Sequence, residues 1–279
     1  MTITVSTLTK INSGRTTPIP RSKRSMADLL APLNRLAQTS PSLIAKPGGI
    51  FQSNGQNCEL PRYVFLGADC GDEPIRIGVF AAIHGDEPEG TYALTQLLGL
   101  LVQNPELAAG YCLFVYPICN PTGFEDNTRY SRRGRDLNRE FWNNSKEPEV
   151  QLLQREIYHH AFDGLVSLHS DDTADGVYGF VRGATLTEHL LKPALDAAEL
   201  ILPRNQNDII DGFTARNAII REGYQGILSA PPGVRPRPFE IILETPQSAP
   251  QYQQERALVA ALQTILAEYR KLMAYAPNL

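Results

Sequence analysis

Four residues in this chain stand where packing alone would choose something else. In "FAAIHGDEPEG" an apolar run stops at His84 and Glu87 follows three positions on; "LVSLHS" carries His169, and "EIILETP" carries Glu244. Each falls at the end of a strand-like apolar segment, and in open α/β sheets sites gather outside the carboxyl ends of the strands. Two imidazoles and one carboxylate make a zinc set that leaves a fourth coordination position for water. The first two ligands need a tight turn so that both side chains face one ion, and Gly85 in "HGDE" supplies it. The third can come from far along the chain, as His169 does. A further carboxylate, not itself a ligand, is then needed to take a proton from that water, and Glu244 is the candidate.

Taken singly, each of these residues has a plain structural alternative. The His84/Glu87 pair could be a solvated loop, His169 a hydrogen-bonded core histidine, and Glu244 a cap on a helix starting at Thr245-Pro246. Asp86 and Glu89 share the acidic turn and are read as solvated or supporting groups, not as ligands. Of the other histidines, His159 and His160 fall at a helix end, where positive charge suits the dipole. His189 sits mid-helix and reads as exposed. His84 and His169 remain, the number that the zinc set requires.

A second cluster is "NTRYSRRGRDLNREFW", with Arg129, Arg132, Arg133, Arg135 and Arg139 in a chain whose net charge is −4. A solvated basic loop accounts for Arg132, Arg133 and Arg135. Arginine also clamps carboxylates through paired donors, and "DLNR" sets the Asn138 amide beside the Arg139 guanidinium. Zinc on one side and this clamp on the other would suit hydrolysis beside a free carboxylate. "SAPPGVRPRP" reads as a rigid loop whose Arg235 and Arg237 are solvated or line a specificity pocket.

The elements that must position these groups alternate. "SMADLLAPLNRLAQTS" has helical spacing with Ser25 as N-cap. The strand-like "YVFLGA" and "IRIGVFAAIH" follow, then a helix up to Asn104-Pro105 and the buried run "YCLFVYPICNP". "EPEVQLLQREIYHHAF" is helical, "DGLVSLHS" and "GVYGFVRG" are strand-like, "LTEHLLKPALDAAELIL" is a helix interrupted near Pro193, "RPFEIILETP" is a strand, and a long amphipathic helix closes the chain. Alternation of this kind predicts an α/β three-layer sandwich, a mostly parallel or mixed sheet with helices on both faces. With no internal repeat and no Gly/Ser linker, the chain of 279 residues is read as one catalytic domain, 1–279, with residues 1–24 an irregular arm. Hydrophobic content of 42% and charged content of 20% fit a globular protein, and the acidic balance gives no case for nucleic acid or an anionic membrane as partner. No apolar run approaches about 18 residues, and the polar N-terminus lacks a secretory core, so a cytoplasmic location is expected. Cys58, Cys70, Cys112 and Cys119 show no CxxC spacing, and the last two read as buried free thiols.

With "HGDE", "NPTGF", "TRY…DLNR", "LHS" and "LETP" occurring in that order over residues 84–246, the chain resembles the zinc carboxypeptidase superfamily, the group of carboxypeptidase A. That superfamily also contains the succinylglutamate desuccinylase and aspartoacylase branch. The resemblance implies an α/β sheet sandwiched by helices and a single zinc ion on His84, Glu87 and His169. It makes Glu244 the general base and later proton donor, and Arg129 the group that polarises the scissile carbonyl. Asn138 and Arg139 would bind the substrate's terminal carboxylate. The peptidases also use a mobile tyrosine shortly before the catalytic glutamate, and Tyr224 stands at that distance; a surface loop tyrosine is the alternative. Only residues 245–279 follow Glu244 and they read as one helix, whereas the acylase branch generally adds a β-rich domain there. That favours a metallocarboxypeptidase. The wording of "HGDE" and "TRY…DLNR" is close to the acylase branch and keeps open an N-acyl amino acid deacylase. Either way the expected partner is a small peptide or N-acyl amino acid with a free carboxylate.

Overall fold

A computed structural model describes residues 23–275. The irregular arm expected over residues 1–24 lies outside them, except for residues 23 and 24, which are irregular. Helix α1 (Met26–Thr39) starts where the Ser25 hydroxyl accepts from the Asp28 amide at 3.1 Å, satisfying one orphan donor of the first turn. Strands β1 (Leu43–Ala45), β2 (Gly49–Ser53), β3 (Gln56–Leu60), β4 (Tyr63–Leu66) and β5 (Ile75–Ala81) precede α2 (Glu89–Gln103). Then come β6 (Tyr111–Tyr116), α3 (Pro121–Asp126), α4 (Pro148–His160), β7 (Gly164–Asp171) and β8 (Tyr178–Val181). The helix interrupted near Pro193 is α5 (Ala184–Leu186), a π-turn (Thr187–Leu191) and α6 (Lys192–Glu199), so the irregular turn lies just before the proline, which has no amide to donate. Strands β9 (Ile209–Ile210), β10 (Phe213–Arg216), β11 (Ile219–Ile220) and β12 (Phe239–Pro246) lead to α7 (Gln251–Tyr275).

Among the described residues ten strands form one mixed sheet, in the order β1-β4-β6-β5-β7-β12-β8-β11-β10-β9, and β2 and β3 form a separate hairpin. β6, β5, β7 and β12 run parallel, and β8 lies antiparallel on the far side of β12. Strand alternation divides the core. Val79, Ala81, Val166, Leu168, Ile241 and Leu243 face a layer of α1, α2, α6 and α7. Phe80, Tyr116 and Leu165 face α4 and the β2–β3 hairpin, with Phe80 stacked on Tyr116 at 4.8 Å between ring centroids. The α/β three-layer sandwich is therefore the fold.

Two elements differ from expectation. β5 stops at Ala81, not at His84; Ala82 takes a left-handed φ of 49°, which turns the chain out of the sheet. His84 thus sits on the turn beyond the strand, while His169 and Glu244 lie inside β7 and β12 near their carboxyl ends. His160, expected to carry charge at the end of α4, is instead packed against Phe114 at 4.2 Å between ring centroids, and burial pushes its pKa down despite nearby Glu156. His189 is exposed on the π-turn, and all four cysteines are free thiols, Cys112 and Cys119 buried. No helix among the described residues is long and apolar enough to cross a membrane.

Candidate metal centre and substrate cavity

The turn "HGDE" is closed by the Glu87 amide donating to the His84 carbonyl at 3.2 Å. Gly85 is required there by a close approach: a β-carbon on it would lie 2.0 Å from the Gly123 carbonyl carbon at the start of α3. Asn120 Oδ1 caps α3 through the Gly123 amide at 2.9 Å, and its amide nitrogen reaches the Ile83 carbonyl at 3.3 Å. The "NPTGF" helix is thereby fastened to the turn that carries His84 and Glu87.

His169 arrives from the neighbouring parallel strand. β7 places Leu165, Ser167 and His169 on one face, and β12 sets Ile242 opposite Ser167 and Glu244 opposite His169. On its other side β12 pairs Glu244 with Tyr178. His169, Glu244 and Tyr178 consequently lie side by side across three strands.

The two histidines converge on one carboxylate. His84 Nδ1 lies 2.6 Å from Glu87 Oε1 and His169 Nδ1 lies 3.0 Å from Oε2, while the Ser170 amide donates to Oε2 at 3.3 Å. All three side chains are buried, with residue exposures of 4%, 5% and 4% for His84, Glu87 and His169. A ligand atom from each lies within 4.8 Å of the others. The far ring nitrogens are engaged elsewhere: His169 Nε2 is 3.1 Å from Ser167 Oγ. His84 Nε2 faces Asp136 Oδ1 at 3.3 Å, an ion-pair distance without hydrogen-bond alignment. Oriented from behind in this way, both Nδ1 atoms and the carboxylate make a donor set that fits a small divalent cation.

Charge follows the same geometry. Burial alone would raise Glu87, but the two imidazoles outweigh it and hold the carboxyl well below the usual range. Burial would lower His84, yet Glu87 and Asp136 raise it, whereas for His169 burial prevails and lowers it. Glu244 goes the other way: burial, then the charges of Glu87, Asp171 and Asp211, push its carboxyl well above the ordinary value.

The structure separates the five arginines. Arg132 is tied to Asp126 at 2.8 Å, Arg133 donates to the Lys146 carbonyl at 3.0 Å, and Arg135 pairs with Glu140 at 3.2 Å. Only Arg129 and Arg139 reach the cavity. Arg129 donates from Nε and a terminal nitrogen to Asp136 Oδ2 at 3.2 and 3.1 Å, with its other terminal nitrogen 3.4 Å from Glu87 Oε1. Asn138 is fixed by its Oδ1 accepting from the Leu228 amide at 2.9 Å. Arg139 donates to the Asn138 carbonyl at 2.7 Å and lies under the Tyr224 ring, 4.1 Å from its centroid. The Tyr224 hydroxyl donates to Asp211, 2.9 Å from Oδ1.

These groups line one cavity of about 380 Å³: the triad, Glu244, Arg129, Asn138, Arg139 and Tyr224. A second cavity of about 300 Å³ adjoins it through Phe180, Tyr224 and Ile242, and Arg237 lines it with its guanidinium 3.0 Å from both oxygens of Glu240. Arg235 donates to the neighbouring Val234 carbonyl instead. Asp86 lines the main cavity without joining the triad, and Glu89 is buried, accepting from Ser170 Oγ at 3.0 Å. Sequence reasoning did not find Asp136, Ser167 and Asp211. Ser167 had a signal, being two residues before His169 and so on the same strand face; the other two had none that spacing could supply.

The catalytic-domain model of the succinylglutamate desuccinylase/aspartoacylase family matches residues 75–206, a span that holds the triad and the arginine loop but not Tyr224 or Glu244. No curated protein matches the chain. Among solved structures, a candidate metallopeptidase from Shewanella denitrificans OS217 superposes with a TM-score of 0.72 at 19% identity, covering 87% of this chain and 90% of that one. A metallo-carboxypeptidase from Burkholderia cenocepacia gives 0.70 at 16% identity, covering 90% and 70%. Carboxypeptidase A from Helicoverpa armigera gives 0.66 at 16%, covering 91% and 75%. At such identities the likeness is one of fold.

Proposed function

We propose that this chain is a member of the zinc carboxypeptidase-like superfamily, which includes the succinylglutamate desuccinylase/aspartoacylase branch, and that it is a zinc-dependent carboxypeptidase cleaving an amide beside a free carboxylate, a reading supported by the family model over residues 75–206 and by the shared fold. The observation that carries this reading is that the His84–Glu87–His169 triad and the Asn138/Arg139 pair line the same cavity. In it His84, Glu87 and His169 hold one zinc ion, and residues 1–279 act as one catalytic domain. When bound, such an ion supplies Lewis acidity and lowers the pKa of a water molecule.

The remaining work falls to side chains. Asn138 and Arg139 bind the terminal carboxylate through an amide and a guanidinium, Tyr224 lying over the latter. That anchoring presents the neighbouring carbonyl to Arg129, whose guanidinium stabilises the negative charge developing on its oxygen. Glu244 takes the proton from the attacking water and passes it to the leaving amine. Asp136 supports both partners, holding Arg129 and facing the outer nitrogen of His84.

A second reading, N-acyl amino acid deacylation, is favoured by the family whose model matches residues 75–206. Parallel assays on C-terminally unblocked peptides and on N-succinyl and N-acetyl amino acids separate the two. Metal analysis is expected to give about one zinc per chain, and Glu244→Gln to lower kcat by roughly 10²–10⁴-fold with zinc retained. Full activity in that variant overturns the mechanism.

A further inference from the structure

Arg129 and Asp136 stand just outside the two ends of a closed turn, and Ser131 closes it. The Ser131 amide donates to the Arg135 carbonyl at 2.8 Å, and the Gly134 amide donates to the Ser131 carbonyl at 2.8 Å. Ser131 Oγ accepts from the Arg135 amide at 3.3 Å and donates to Glu147 Oε2 at 2.8 Å. Ser131 and Glu147 are only 3% and 5% exposed. Glu147 is the residue before α4 and is itself held by its amide donating to Ser145 Oγ at 3.2 Å. Burying a carboxylate costs free energy unless hydrogen bonds offset it, and the Ser131 hydroxyl is the side-chain donor this one receives.

What the turn delivers is narrow. Arg132, Arg133 and Arg135 are all bound away from the cavity, and Arg129, held by Asp136, lines it. We infer that Ser131, anchored by Glu147, is a positioning residue for Arg129: it fixes the turn so that Asp136 meets the Arg129 guanidinium and aims it at the cavity. This rests on the reading above that Arg129 acts on the scissile carbonyl. The metal ligands sit on other elements, the β5–α2 turn and β7, but Arg129 reaches Glu87 at 3.4 Å and Asp136 faces His84 at 3.3 Å, so zinc content is measured beside kcat to separate the two roles.

The test combines a double-mutant cycle with hydrogen exchange. Ser131→Ala is expected to lower kcat roughly ten- to a hundredfold, the scale of a small misplacement of a catalytic group, with KM within about twofold and zinc content unchanged. Glu147→Ala should match it, while Glu147→Gln, which keeps an acceptor oxygen, should restore most of kcat. In an Arg129→Ala background Ser131→Ala should cost nothing further. Amide exchange over residues 127–137 should speed up in Ser131→Ala, with 164–171 unchanged as the control for folding. An equal loss on top of Arg129→Ala, or unchanged exchange in the turn, overturns the inference. If Arg129→Ala alone leaves kcat intact, it is the catalytic reading of Arg129 that fails, and the exchange comparison decides the anchor by itself.

Discussion

Glu244 holds its place on β12 with no hydrogen bond or ion pair to its carboxyl among the described residues. Burial and the charges of Glu87, Asp171 and Asp211 raise its pKa in the folded chain. A carboxyl whose folded pKa exceeds its unfolded value adds stability that is fully present below the unfolded value and disappears as pH rises through the folded one. With metal stripped by a chelator, wild type should therefore lose stability relative to Glu244→Gln as pH rises above the usual carboxylate range. The gap in urea unfolding should widen as pH rises above the usual carboxylate range and close near pH 4. Glu87 works in the opposite sense: its depressed pKa contributes stability above the usual carboxylate range that is lost on acidification. A gap independent of pH would mean that Glu244 is ionised throughout. At this scale the sequence was legible where a polar residue interrupted an apolar run, as at His84, His169 and Glu244. It was not legible among the arginines, because Arg129 and Arg132 have the same chemistry and differ only in which acid the folded loop brings beside them.

Elements convert that spacing into contact. Periodicity predicts the strands and α2, and the one-sided alternation of β7 and β12 places Ser167, His169, Ile242 and Glu244 on one face. The end of β5 was misplaced because its stop depends on Ala82 turning left-handed, which apolar content does not signal. Nor does "HGDE" by itself reveal that Gly85 lies against the first turn of α3. Gly85→Ala would set a methyl group 2.0 Å from the Gly123 carbonyl carbon, so turn and helix must part. The expected outcome is at least a tenfold loss of zinc affinity in a chelator competition, with Tm lowered by several degrees. An unchanged affinity would show that the turn holds its ligands without α3. The latch on Tyr224 is also of this scale: Asp211, in the turn between β9 and β10, accepts its hydroxyl and keeps the ring over Arg139. Asp211→Asn should alter KM for the carboxylate-bearing substrate more than kcat, as measured by steady-state kinetics.

For the whole molecule, a ligand that binds only the folded chain stabilises it by mass action, by about 4 kcal/mol at a thousandfold excess over Kd. Zinc at that excess should raise Tm by on the order of 10 °C over the stripped protein, and His84→Ala should abolish the increment; calorimetry with and without metal checks both. The sheet order carries a last consequence. β7 and β8 follow one another in the chain but are not neighbours, and β12, almost the final element, lies between them. His84, Glu87 and His169 are all made long before the strand that brings Glu244. All three candidate metal ligands are therefore synthesised before the candidate base, and β12 must pair along both its edges, with β7 and β8, before Glu244 can stand beside His169.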